Sequence, residues 1–146
     1  MELDIDFSIA EKYSEPHEFY SRHLNVFKNF IRVFEVFFKK EKFQHAEIKI
    51  DEEAKNKAII RFCGKKYRIR LAVDPVNPKA AVIVLAKLDK DRSVTLSEAA
   101  VVDAERVIFP GERPVSLKDS YEFNNAVLNF FISGITRNPD TDHATR

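Results

Sequence analysis

Apolar and polar residues alternate at the start of the chain. The apolar set is Leu3, Ile5, Phe7 and Ile9, and the polar set between them is Glu2, Asp4, Asp6 and Ser8. A period of two is typical of a strand with one buried face. We therefore expect a first strand within residues 1–9, with an acidic outward face.

The next segment has the spacing of a long helix. Pro16 suits a first helical turn, and the pattern predicts a helix over about residues 16–42. Apolar residues recur at steps of four and three in two neighbouring seams. The first seam is Tyr20, Leu24, Phe27, Ile31, Phe34 and Phe38, and the second seam is Phe19, His23, Val26, Phe30, Val33 and Phe37.

Two apolar seams need two apolar neighbours, because a surface helix ordinarily buries a single stripe. The sheet can cover one seam, and either the C-terminal helix or a second copy of the chain can cover the other. We predict a homodimer, with an interface formed by Phe19, Val26, Phe30, Val33 and Phe37.

A run of strands follows the helix. The expected strands are residues 46–50, 57–63, 66–73 and 80–88, and the last is apolar enough to be covered on both faces. Gly64 and Lys65 suit a two-residue turn of type II′. That turn pairs Ile60 with Ile69 on the inner face and sets Arg61 opposite Arg68. Pairing 48 with 60 then places Glu47 opposite Arg61.

The last third of the chain predicts two helices. Thr95 and Glu98 have the spacing of a capping box before an alanine-rich segment, which favours a helix over about residues 96–107. Two strands within 93–109 are the alternative. Ser116 and Asp119 repeat the capping pattern before a last helix at about 117–135, and a mobile polar tail is expected at 137–146.

These elements predict an α+β fold in the order β-α-β-β-β-β-α-α. We expect a single domain over residues 1–136, in which a two-layer antiparallel sheet of four to five strands packs against the long N-terminal helix and C-terminal helices. If 93–109 is two strands, the order is similar to the helix-grip order of Bet v 1-like proteins. That resemblance implies a hydrophobic ligand held in a cavity lined by Phe27, Phe34, Tyr67 and Phe131.

Composition and charge are those of a soluble globular protein. The 146 residues are 45% hydrophobic and 32% charged, with a net charge of +1, which gives no global field for DNA or membranes. The acidic opening segment and the absence of a long apolar run predict neither a signal peptide nor a membrane partner. We expect a cytoplasmic location.

The chain contains no recognisable catalytic or cofactor motif. Its three glycines lie far apart, which gives no phosphate-binding loop, and its four histidines lack metal-ligand spacing. We expect no cofactor and no metal site, and the pattern favours a non-enzymatic protein. A small enzyme with an apolar pocket is the alternative.

The most unusual feature is a basic stretch. Residues 54–73 contain seven basic side chains and no acidic one. We define the basic face as the candidate binding residues Lys49, Arg61, Lys65, Lys66, Arg68 and Arg70. Its counter-anion can be internal, such as Glu47 or the acidic first strand, or it can belong to an acidic protein partner or to nucleic-acid phosphate. The sequence thus predicts a small macromolecule-binding protein that docks to a protein partner through this face, with nucleic acid as an alternative partner.

Overall fold

The protein is built from two helices and a seven-stranded antiparallel sheet. The computed structural model describes residues 7–41, 45–74, 76–77 and 79–137, and their side chains within 20–136. The elements are α1 (Phe7–Lys40), β1 (Ala46–Ile50), β2 (Lys57–Phe62), β3 (Lys65–Val73), β4 (Ala81–Asp89), β5 (Arg92–Asp103), β6 (Arg106–Ile108), β7 (Val115–Ser116) and α2 (Ser120–Arg137). The strands pair in chain order and the sheet is curled. The α+β class is therefore confirmed.

The long N-terminal helix begins earlier than the sequence pattern predicts. Residues 7–9, expected to end a first strand, belong to α1, which continues through Pro16 to Lys40. A short alternation is a weak strand pattern, because Phe7, Ala10 and Tyr13 also have helical spacing. The rest of the expected strand, residues 1–6, lies outside the described residues.

The helix expected at residues 96–107 is wrong. The segment forms most of β5 and the start of β6, so the sheet has seven strands rather than four or five. Thr95, interpreted as a helix cap, pairs with Ala86 of β4. Ala99 and Val101 are buried while the residues between and after them are exposed, and this alternation buries apolar side chains against the core. Strand pairing overrides the helical propensity of the alanines.

The hairpin between β2 and β3 has a register two residues away from the expected one. Cys63 and Gly64 occupy the turn with φ angles of 52° and 77°, and two positive φ values correspond to type I′ rather than type II′. Ile60 therefore faces Tyr67 and not Ile69. A shift of two residues keeps every side chain on the predicted face, because the side-chain period of a strand is two.

The last helix begins at an aspartate. The backbone N–H of Glu122 donates to Asp119 Oδ1 at 3.0 Å, which makes Asp119 the N-cap of α2. Ser116, the expected cap, lies in β7 instead. The helix extends to Arg137, the first residue of the expected tail, and residues 138–146 lie outside the described residues.

The core lies between the concave side of the sheet and the two helices. Phe30 of α1 occupies its centre, with its ring centroid 5.6 Å from those of Phe109 and Phe123. Phe34, one turn further along, contacts Phe131 of α2 at 5.4 Å. Both seams of α1 are therefore used within one chain.

Candidate functional site

Strand β3 presents a row of cations on the outer face of the sheet. Tyr67, Ile69 and Leu71 are buried against the helices, so the residues that alternate with them along the strand must point away from the core. Those residues are Lys66, Arg68 and Arg70. Alternate residues of a strand are about 7 Å apart, which makes this a row of three regularly spaced positive charges.

The two neighbouring strands extend this row into a face. In the paired register, Lys49 of β1 and Ile59 of β2 lie in line with Arg68. Glu47 lies opposite Arg61, as predicted, and Lys66 lies on the other side of Arg61. Five of the six basic-face residues thus share the outer side of β1–β3. The sixth, Lys65, is exposed at the hairpin end, opposite Phe62.

Local carboxylates neutralise only part of this charge. Arg61 Nε lies 3.6 Å from Glu47 Oε1, and the neighbouring Lys57 Nζ lies 4.0 Å from Asp51 Oδ2. Both pairs are exposed, and exposed ion pairs contribute little to stability because water screens them. Within the described part of the chain, the other basic-face residues have no carboxylate within 4.0 Å, namely Lys49, Lys65, Lys66, Arg68 and Arg70.

The expected opposition of Arg61 and Arg68 is wrong, because the register places Lys66 opposite Arg61 and Ile59 opposite Arg68. Like charges still face each other across the hairpin, which disfavours the strand pair. Arg61 now has Glu47 on its other side. Arg61 therefore has a neighbouring carboxylate that offsets its charge, whereas Lys66 has none among the described residues.

A groove of about 910 Å³ runs along this face. Ile59 and Leu88 supply apolar lining, and Lys49, Lys66 and Arg68 supply positive charge. A second depression of about 560 Å³ adjoins it at the hairpin end, where Lys65 joins Arg61 and Lys66. Arg70 lies outside both, opposite Lys57 and Val84.

One end of the groove is acidic. Asp51, Glu52 and Glu53 of the β1–β2 loop line it there. Asp51 Oδ1 accepts hydrogen bonds from the backbone N–H of Ala54 at 3.0 Å and of Glu53 at 2.9 Å. These bonds lower the pKa of Asp51 below its ordinary value, and the Lys57 charge adds to the effect. The sequence marks this cluster only as a loop, and its place beside the cations follows from the strand register.

Arg68 is the least satisfied member of the face. Its Nε is buried and has no hydrogen-bond partner among the described residues. Across the strands, Ala86 lies beside Arg68 and Val84 beside Arg70, and both apolar side chains are buried although they face outward. Arginine stems commonly cover apolar surface in this way. The covering position of Arg68 thus leaves a polar donor without a partner.

The residues of the predicted dimer interface do not form an exposed surface. Val26, Phe30 and Val33 are buried within the chain, where Phe109, Phe123 and Phe130 surround Phe30. Phe37 is half-buried, and the Phe19 side chain lies outside the described ones. The C-terminal helix therefore provides the cover that a second copy was expected to provide. The homodimer itself stays a prediction.

The four aromatic residues of the helix-grip alternative belong to a packed core. Phe131 contacts Phe34 at 5.4 Å and Tyr67 at 5.5 Å between ring centroids. A side chain lining a ligand cavity would expose surface to a water-sized sphere, whereas Phe27 and Phe34 are 0% exposed. Burial also raises the pKa of Tyr67. These rings therefore fill the space in which an apolar ligand would bind.

Among the residues that the structure describes, no three His, Cys, Asp or Glu side chains stand close enough to hold a metal ion. No described helix is long and apolar enough to cross a membrane. Comparisons of this chain with protein-family models, curated proteins and solved structures found no match.

Proposed function

We propose that the protein binds macromolecules without catalysing a reaction, and that it docks an acidic segment of a protein partner on its basic face. The observation that carries this proposal is the row Lys66, Arg68 and Arg70, whose charges have no carboxylate within 4.0 Å in the described part of the chain. Arginine is enriched at protein interfaces, and a carboxylate can accept two parallel hydrogen bonds from its guanidinium group.

The spacing of the row supports an extended partner segment. Alternate side chains of an extended chain are about 7 Å apart, which equals the step from Lys66 to Arg68 and from Arg68 to Arg70. Acidic residues at every second position can therefore meet successive cations. Ile59 and Leu88 in the groove provide apolar contact for the stems of those side chains.

The acidic end of the groove favours protein over nucleic acid. A phosphate backbone carries one sign of charge throughout, and Asp51, Glu52 and Glu53 would repel it. The net charge of +1 adds no long-range attraction. A protein segment can carry acidic residues for the row and a basic residue for the loop. The partner expected here is therefore acidic with a basic end.

Fluorescence anisotropy with labelled synthetic ligands tests this proposal. One peptide has glutamate at alternate positions and a lysine at one end, and a second has the same composition with its glutamates grouped. We expect the alternating peptide to bind more tightly. Arg68→Glu with Arg70→Glu should weaken binding about tenfold or more, since about 1.4 kcal/mol corresponds to a factor of ten.

The matched control is Lys28→Glu with Arg92→Glu, which reverses two exposed charges away from the basic face. It should bind the alternating peptide as the unmodified protein does. An equal loss of peptide affinity in both variants would mean that only the net charge matters, and it would overturn the proposal. A single-stranded RNA that binds more tightly than the peptide, with affinity falling steeply as salt rises, would assign the face to nucleic acid instead.

A further inference from the structure

The outward side of α2 has almost no charge. Within residues 120–136 the only charged side chain is Glu122. Tyr121 is 80% exposed and Ile132 is 41% exposed, with the half-buried Leu128 between them. Their spacing of seven and four residues places all three on one side of the helix. Charge depletion with an exposed tyrosine is characteristic of the centre of a protein interface.

The exposed side of α1 has the opposite character. Its exposed positions include the charged residues Lys28, Arg32, Glu35, Lys39 and Lys40, with Val36 as an apolar exception. Such a surface is typical of a solvated helix. The lack of charge is therefore specific to the outward side of α2 and is not shared by the other helix.

A depression of about 530 Å³ separates the two helices next to Tyr121. Val36, which is 55% exposed, and the half-buried Phe37 and Leu128 line it. Its rim on α1 carries Arg32 and Lys40, followed by Glu41. This side of Tyr121 is therefore an apolar hollow with a mainly basic rim.

A second depression, of about 420 Å³, lies on the other side of Tyr121. Tyr121 and Asn125 line both depressions. The rim of the second one is acidic, with Glu112, Asp119 and Glu122. The neutral surface thus has positive charge along one side and negative charge along the other.

We propose that this surface binds a second copy of the chain around a twofold axis close to Tyr121 and Asn125. A twofold axis that runs along the boundary between the basic and the acidic side brings each side of the surface against the opposite side of its copy. Arg32 and Lys40 of each chain then face Glu112 and Glu122 of the other. The exposed ring of Tyr121 enters the hollow of the partner copy, and the Asn125 amide, which both donates and accepts hydrogen bonds, can pair with itself.

This surface overlaps the seam that the sequence suggested as a dimer interface only at Val33 and Phe37, which line the hollow, whereas Val26 and Phe30 are buried beneath it. It also lies on different elements from the basic face, so the inference does not rest on the proposed function. The predicted dimer leaves the sheet groove open in both copies.

Sedimentation velocity with charge-reversed chains tests the twofold arrangement. An acidic variant carries Arg32→Glu and Lys40→Glu, and a basic variant carries Glu112→Lys and Glu122→Lys. All four side chains are exposed, so the fold should be kept. The unmodified protein should sediment as a dimer with twice the 16.9 kDa of one chain. Each variant alone should be a monomer, because like charges meet at both rims, and an equimolar mixture should restore the dimer.

Tyr121→Ser tests the apolar contact separately, and it should weaken the dimer about tenfold or more while the circular dichroism spectrum of the folded chain stays unchanged. The control variant with Lys28→Glu and Arg92→Glu should dimerise normally. A monomeric unmodified protein at high micromolar concentration would overturn the proposal. A dimer that survives all three interface variants would overturn it as well, because it would have to use another surface.

Discussion

Arg68 combines two roles at a single position. Its stem lies beside Ala86 on the outer face of the sheet, and its buried Nε has no hydrogen-bond partner among the described residues. An unpaired buried donor costs about 1–3 kcal/mol, and the partial exposure of Arg68 reduces this cost. A carboxylate in the groove could restore hydrogen bonding if the guanidinium turned towards it. An arginine at position 68 therefore lowers the stability of the fold but can bind a carboxylate.

Arg68→Met should separate the two roles. Methionine keeps an unbranched apolar stem over Ala86 and removes the unpaired donor. We expect the free energy of unfolding, measured with urea, to rise by up to about 1 kcal/mol. Binding of the alternating acidic peptide should nevertheless weaken. Arg70→Met is the matched control, since Arg70 has no buried atom without a partner, and it should weaken binding without stabilising the fold. A loss of stability in Arg68→Met equal to that in Arg70→Met would contradict this account.

Among the elements, the face that each side chain of β3 takes could be predicted, but its register could not. The alternation of Tyr67, Ile69 and Leu71 with basic residues determines which side is buried. The register depends on whether Gly64 is the first or the second residue of the turn, and glycine suits both positions. Because the two choices differ by two residues, the outward placement of Arg61, Arg68 and Arg70 was predicted correctly from an incorrect pairing.

Strand β5 shows a different kind of limit. Its alanines and the spacing of Thr95 and Glu98 favour a helix locally. The strand forms because β4 is apolar on both faces and offers nine residues for pairing. The residues of 96–107 alone do not reveal that they can pair with β4, so the prediction of a helix there was wrong. The acidic end of the groove escaped prediction for the same reason.

Helix α2 packs tightly against the sheet at Gly134. A Cβ atom there would lie 2.8 Å from Leu85 Cδ2, and Leu85 is 0% exposed, so it has little room to move. Gly134→Ala should gain about 1 kcal/mol of helix propensity and lose about 1–3 kcal/mol to overpacking. We expect a net loss of about 1 kcal/mol in urea unfolding. Asn129→Ala, at an exposed position of the same helix, is the control, because it gains helix propensity without overpacking and should not destabilise the fold. A stabilised Gly134→Ala would show that α2 can move outward.

At the scale of the whole molecule, the two apolar seams of α1 correctly indicated two apolar neighbours. The sequence could not decide whether the second neighbour was internal, because α2 lies about ninety residues further along the chain. In the structure, Phe123 and Phe130 of α2 and Phe109 after β6 cover Phe30. The outward side of α2 keeps exposed apolar surface at Tyr121 and Ile132.

Val26→Glu combined with Val33→Glu distinguishes an internal seam from an intermolecular one. Val26 is 0% and Val33 8% exposed, and an ionised carboxylate at such positions loses several kcal/mol of hydration. The combined cost of two such carboxylates should cancel most of a typical free energy of unfolding, which is about 5–15 kcal/mol. We therefore expect the double variant to lose its helical circular dichroism or to aggregate at any protein concentration. Asn25→Glu with Lys28→Glu adds two carboxylates at exposed positions of the same helix and should stay folded. A soluble, folded monomer from the Val26 and Val33 variant would mean that the second seam is covered by another chain.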